Sequence, residues 1–245
     1  MNPANAASLP SAAPQTGALA RLAGVFFEPR KTFTEIAQRP TWILPTLLVI
    51  LSALGLFAAV GQRVGWDRVV RQRMQMSPRL QQLTPEQIAL QVRLAPALSN
   101  AGVILGVPLF NLLEAAVLLG IAGGLMGARL AFKQVFAVVC YSGLPAAISS
   151  ILAAIVVCLK NPGDFDLQNP LVFNIGAFLD PNGGKFLHSL ASSMDLFVFW
   201  MIFLIATGLK AAAGKSLTFT GALVAVLLPW VMLVLGKAAF VAAFN

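Results

Sequence analysis

The sequence has little charge, one histidine and two cysteines. Only 11% of its 245 residues are Asp, Glu, Lys or Arg, against roughly 25% in a typical soluble domain. That leaves too little polar surface to coat a soluble globule of this size. A disordered chain is also excluded, because it needs low hydrophobicity and high charge. Two cysteines rule out a disulfide-stapled secreted module. With one histidine there is no HExxH helix, and no CxxC, GxSxG or P-loop sequence occurs. Asp164-Phe165-Asp166 is too small a cluster for a metal site. A Ser–His dyad on His188 has no nucleophile assigned to it. No cofactor and no catalytic residue are predicted.

The apolar residues supply the positive evidence. They make up 58% of the chain, above the roughly 45–50% of soluble domains. A helix needs about 20 mostly apolar residues to cross about 30 Å of hydrocarbon. Five stretches qualify, at about 41–61, 101–127, 132–159, 186–209 and 217–244. Lys or Arg marks most of their ends, where long cationic side chains reach the headgroups, and Trp42 stands at the entry of the first. A transmembrane barrel needs alternating segments, and Leu47-Leu48-Val49-Ile50-Leu51 does not alternate. The predicted fold is all-α: a polytopic membrane helix bundle with five transmembrane helices plus short interfacial amphipathic helices.

Residues 1–16 contain no basic residue and are rich in Ala, Ser, Pro and Asn. They read as a disordered tail, with no signal-peptide pattern. In 17–40, Leu19, Leu22, Phe26, Phe27, Phe33 and Ile36 mix with Arg21, Arg30, Lys31 and Arg39. Two short amphipathic pieces broken at Pro29 fit this pattern. They either lie in the membrane interface or pack on the bundle. The membrane domain is 41–245. Within it the 62–100 connection carries six arginines, at 63, 68, 71, 73, 79 and 93. Thr84-Pro85-Glu86-Gln87 there has the form of a helix start with a capping box. A helical hairpin on or near the membrane is expected.

The net charge of +8 is better matched to anionic lipid beside the spans than to nucleic acid, because no basic patch interleaves with aromatics on a polar face. The expected partners are the lipid bilayer and a membrane-protein partner or a second copy, with no nucleic acid. Counting basic residues does not orient the bundle. With the N-terminus inside, eight lie inside (Arg21, Arg30, Lys31, Arg39, Arg129, Lys133, Lys210, Lys215) and nine outside. The two tightest turns are basic without acid and fall inside, whereas Asp164, Asp166 and Asp180 fall outside. This favours N-in, C-out against the six loop arginines. Cys140 and Cys158 lie 18 residues apart on one span, about 27 Å at 1.5 Å per residue, so they cannot pair. Both read as small buried hydrophobes.

Ionisable groups inside spans are costly and are functional candidates by default. Three stand out: Glu114 in span two, Asp195 in span four and Lys237 in span five. The last two lie level, roughly 12–15 Å from the outer end of the bundle, which predicts an ion pair. The alternative is that Lys237 reaches the interface and Asp195 bonds local hydroxyls such as Ser192. Glu114 would relay a proton, bind a cation, or simply bond across helices. Gly120 with Gly124 and Gly123 with Gly127 form GxxxG patterns, which predict close helix packing.

Several short segments occur in a recognisable order. Phe27-Glu28-Pro29-Arg30-Lys31-Thr32-Phe33 precedes span one, and Phe136 with Tyr141-Ser142-Gly143-Leu144-Pro145 opens span three. Asp195-Leu196-Phe197 with Trp200, and Gly208-Leu209 eight residues beyond the Trp, mark span four. The 164–180 loop runs from Asp164 through Asn169-Pro170 to Asp180-Pro181. Over residues 20–240 the chain resembles the Yip (Ypt/Rab-interacting-protein-like) family, particularly its prokaryotic branch. The resemblance implies a non-enzymatic all-helical membrane protein with a cytoplasmic N-terminus. Eukaryotic members are associated with vesicle trafficking and small GTPases, but the long arginine-rich 62–100 segment departs from them. Arginine outnumbering lysine, together with abundant alanine, points to a bacterial inner membrane. The function expected first is a structural or interaction role in membrane organisation. A small transporter or ion-coupled protein using Glu114, Asp195 and Lys237 is the alternative, with Pro108, Pro145 and Pro229 interrupting three spans.

Overall fold

Proline has no N–H to donate, so it fits the first turn of a helix. Pro29 accordingly opens α2 (Pro29–Gln38) directly after α1 (Ala18–Phe27), with Glu28 between them at φ −133°. The computed structural model describes residues 17–75, 82–161, 171–180 and 184–244. The tail 1–16, Arg79, and the loop acids Asp164 and Asp166 lie outside the described residues.

Five helices are long and apolar enough to cross a membrane, and no strand occurs among the described residues. The predicted all-α class and the count of five are borne out. Span one is α3 (Ile43–Arg63). A hairpin arm follows, α4 (Trp66–Gln75), packed against α5 (Pro85–Leu119). The predicted capping box is present: Gln87 N–H donates to Thr84 Oγ1 at 3.3 Å, and Thr84 N–H donates to Gln87 Oε1 at 2.9 Å.

The start expected at 101 for span two needs correction. The helix begun at Pro85 continues without a stop through Pro96 and Pro108. It passes into a π-helical turn at Gly120–Leu125, giving a 41-residue apolar rod. The 85–100 arm is therefore continuous with span two, in a helix about 60 Å long, roughly twice the hydrocarbon thickness. Span three is two helices, α6 (Phe132–Ser142) and α7 (Leu144–Leu159), which meet at Gly143 just before Pro145. The 186–209 estimate for span four is also corrected. A short helix α8 (Lys185–Ser192) stops, and α9 (Leu196–Ala213) begins afresh after Asp195. Helix α10 (Phe219–Phe244) forms span five.

The core centres on α6. Every residue from Val135 to Ser142 is buried. Helices α2, α5 and α9 pack around it. Val25, Phe33 and Ile36 of the N-terminal hairpin are fully covered and join Val138, Tyr141, Leu144 and Leu204 in one cluster. Burying such a side chain is worth about 1.5–3 kcal/mol relative to leaving it in water. One face of residues 17–40 thus packs on the bundle. Gln134 Nε2 donates to the Ala37 carbonyl at 3.0 Å, which pins the end of α2 to the start of span three. Tyr141, with no exposed surface, shares a hydrogen bond of 3.1 Å between its hydroxyl and that of Thr41.

Gly208 lets this junction close. A Cβ there would overlap Val138 Cγ1 and meet Phe33 Cδ1 at 3.0 Å. Gly106, in contrast, has open space where a Cβ would stand. Gly208→Ala is therefore expected to lower thermal stability of the detergent-solubilised protein by about 1–3 kcal/mol, the usual range for overpacking. Gly106→Ala is expected not to lower it, because alanine is the better helix former. Equal effects of the two substitutions on the melting temperature would contradict the packing described.

Candidate functional site

A helix start leaves backbone N–H groups without partners, and a side-chain oxygen just before it satisfies them. Asp195 does this for span four. Its Oδ1 accepts from Phe197 N–H at 2.8 Å and from Val198 N–H at 3.3 Å. Asn174 and Asp195 also form an isolated antiparallel bridge, which ties the outer loop to the same point. Lys237 is exposed and donates to Ser193 Oγ at 3.3 Å. The Asp195–Lys237 ion pair expected from depth is thus not formed. The depth argument placed Asp195 inside a continuous helix, whereas the chain breaks there and the carboxylate turns back onto its own helix.

Glu114 lies on the half-buried flank of span two, one turn from Asn111 and therefore on the same side. Asn111 Nδ2 donates to Cys140 Sγ at 3.6 Å, joining spans two and three. Thr46 of span one is buried, bonds the Trp42 carbonyl at 2.7 Å, and also comes within reach of the Cys140 thiol. Glu114 is near enough to that thiol to act on it electrostatically. Thr46, Asn111, Glu114 and Cys140 thus form one polar constellation across three spans. The sequence signals Glu114 alone. Asn111, three positions before it, was the available clue to the rest.

Cys140 is buried, as expected, but Cys158 is exposed. Its backbone carbonyl accepts a 2.8 Å hydrogen bond from Arg63, closing the far end of span one onto span three. His188 lies in α8 and makes no side-chain hydrogen bond among the described residues, so no hydroxyl is joined to it. Among these residues no group of three or more His, Cys, Asp or Glu stands together.

The glycine patterns meet no other helix of this chain. A Cβ at Gly120 or Gly124 would meet nothing within 4 Å, and one at Gly123 would meet only Leu119 and Ala128 of its own segment. These glycines form the π turn and face away from the chain's other helices. Gly127 ends the rod at φ +70°, a conformation that favours glycine.

The span-four motif has a physical account. Asp195 caps the helix, and Phe197 is buried. The Trp200 ring stands 5.2 Å from that of Phe26, edge to face, and Gly208 admits Phe33 and Val138. Of the motif residues, Leu196 alone is exposed. Together these residues start span four and seat the N-terminal hairpin on it. The Yip1 domain, as a family model, matches residues 23–240, from within α1 to near the end of α10. The chain belongs to the Yip family. No curated protein and no solved structure gives a further match. In this Yip-family chain the motif residues cap a helix and pack the hairpin against span four.

Asp195→Ala removes a cap and is expected to cost about 1 kcal/mol, with Asp195→Asn close to wild type. The swap of Asp195→Lys with Lys237→Asp is expected to be no more stable than Asp195→Lys alone. Recovery of wild-type melting by the swap would restore the ion pair and overturn the cap.

Proposed function

We propose that this Yip-family protein is non-enzymatic and acts by interaction, with a structural role in membrane organisation. The observation that carries this reading is how its few polar side chains are used. Asp195 caps a helix, Lys237 bonds Ser193, and Asn111 joins two spans through Cys140. Two of the three side chains on which ion coupling would depend are thereby engaged in holding the chain together. The Glu114 constellation is read in the same way, as a polar tie among spans one, two and three in a medium where bare polar groups are costly.

The protein is placed in the bacterial inner membrane, in the prokaryotic branch of the family, with the N-terminus cytoplasmic and the C-terminus outside. Hydrogen bonds support the grouping of charges behind this orientation. Gln134 bonds Ala37, and Arg129 N–H donates to Ser216 Oγ at 3.0 Å. These contacts gather Arg39, Arg129, Lys133 and Lys215 at one end of the bundle, the end that meets an anionic leaflet. The partners are the bilayer and either a membrane protein or a second copy. The outward face of Gly120 and Gly124 is the surface offered to such a helix. Nucleic acid is not a partner.

Crosslinking in native membranes followed by affinity capture is expected to return the same membrane-protein partner, or a dimer of this chain, in repeated preparations. A repeated absence of both, together with solute flux in reconstituted vesicles that Glu114→Gln abolishes, would replace this reading with transport.

A further inference from the structure

The corner between α1 and α2 brings an apolar tip, a basic pair and a cleft together on the outer surface of span four. Burial of Val25, Phe33 and Ile36 fixes one face of the hairpin to the bundle, so its other face is held outward. On that face Leu19 is 75% and Phe27 84% exposed. Arg30 follows three residues later, exposed and without a side-chain partner among the described residues. Lys31 lies beside it and pairs with Glu28 at 3.0 Å. The hydrogen bond and charge of Glu28 hold the Lys31 ammonium above the ordinary lysine range, so it is cationic at neutral pH.

A cleft of about 360 Å³ opens here, lined by Glu28, Pro29, Arg30, Lys31 and Phe203 of α9. Its floor is aromatic and continues along the bundle. The Phe203 ring stands 6.2 Å from that of Phe219 at the start of span five, and both side chains are partly exposed. Basic groups thus border an apolar track on the lipid-facing side of two spans. The hairpin and the turns beside the far end of α2 are net basic: residues 17–40 carry four basic and two acidic side chains, and the turns at 127–133 and 210–218 add four lysines and arginines and no acid.

We propose that this corner binds an anionic phospholipid, with its phosphate on Arg30 and Lys31, its acyl chains over Phe203 and Phe219, and Phe27 inserted beside it. A free phosphate would use the two cations but gain nothing from the rings. A zwitterionic lipid would use the rings but bring a cation to a basic corner. The site deepens the interaction reading above by naming one partner, and it rests on the hairpin meeting the bilayer.

The test is native mass spectrometry of the full-length protein in detergent. It is titrated with phosphatidylglycerol, with phosphatidylcholine of the same chains, and with glycerol phosphate alone. Phosphatidylglycerol is expected to bind in preference to phosphatidylcholine, and glycerol phosphate is expected not to displace it. Arg30→Glu is expected to weaken phosphatidylglycerol binding about thirtyfold, from the loss of about one favourable headgroup charge and its replacement by an unfavourable one. Phe203→Ala weakens it as well, while Arg93→Glu, on α5 and outside the lining of the cleft, leaves it unchanged. If Arg30→Glu melts below wild type, Arg30→Gln is measured in its place and still shows the loss. Equal binding of the two lipids, full displacement by glycerol phosphate, or wild-type binding by a folded Arg30 variant overturns the site. The crosslinking result is independent of these outcomes, so a rejected lipid site leaves the interaction reading standing, and a missing protein partner leaves the lipid site standing.

Discussion

Everything in this chain converges on the first half of span three. From Val135 to Ser142 helix α6 has no face left for lipid, because it is enclosed by the N-terminal hairpin, span two and span four. Apolar packing alone gives little preference inside a membrane, where lipid tails are as apolar as leucine. The polar contacts therefore supply register. Gln134 fixes α2, Cys140 receives Asn111 of span two, and Tyr141 meets Thr41 at the entry to span one. Each lies on a different turn or side of the same short helix. Gly208 of span four closes the remaining side by the absence of a side chain.

This arrangement explains why a hairpin with charged residues at its corner stays with the bundle. Its covered face is too apolar to leave exposed, and its uncovered face carries Arg30, Lys31 and Glu28 where solvent and headgroups are available. The same logic accounts for the break before span four. A helix starting near the membrane needs its first N–H groups satisfied, and Asp195 supplies the acceptor from the chain itself. An ionisable residue that stands out as a charge within an apolar stretch is thus engaged as a helix cap.

Much of the fold was legible because hydropathy and helix-start chemistry are local. Runs of apolar residues gave five spans, Thr84 to Gln87 gave a capping box, and Pro29 gave the hairpin break. Boundaries were less legible where two local signals conflict. The helix start at Thr84 was legible as one arm of a separate hairpin, yet nothing after Pro85 stops the helix, so that arm runs on into span two. Asp195 sits within an apolar stretch, so hydropathy ran through it and missed the cap. The site was legible only as single charges. Glu114 is conspicuous in a span, but Asn111, Thr46 and Cys140 are ordinary residues until three helices bring them together. The GxxxG patterns mark a face by their spacing without saying which neighbour it meets, and none of the chain's other helices lies against it.

The central claim is that the N-terminal hairpin is docked on α6 with Phe33 inside and Arg30 outside. Maleimide labelling of Arg30→Cys and Phe33→Cys, each in a Cys158→Ser background, tests it directly in sealed vesicles of both orientations. The structure predicts that Arg30→Cys labels readily and Phe33→Cys labels only after denaturation. Labelling of Phe33→Cys at the rate of Arg30→Cys in the native membrane would contradict it.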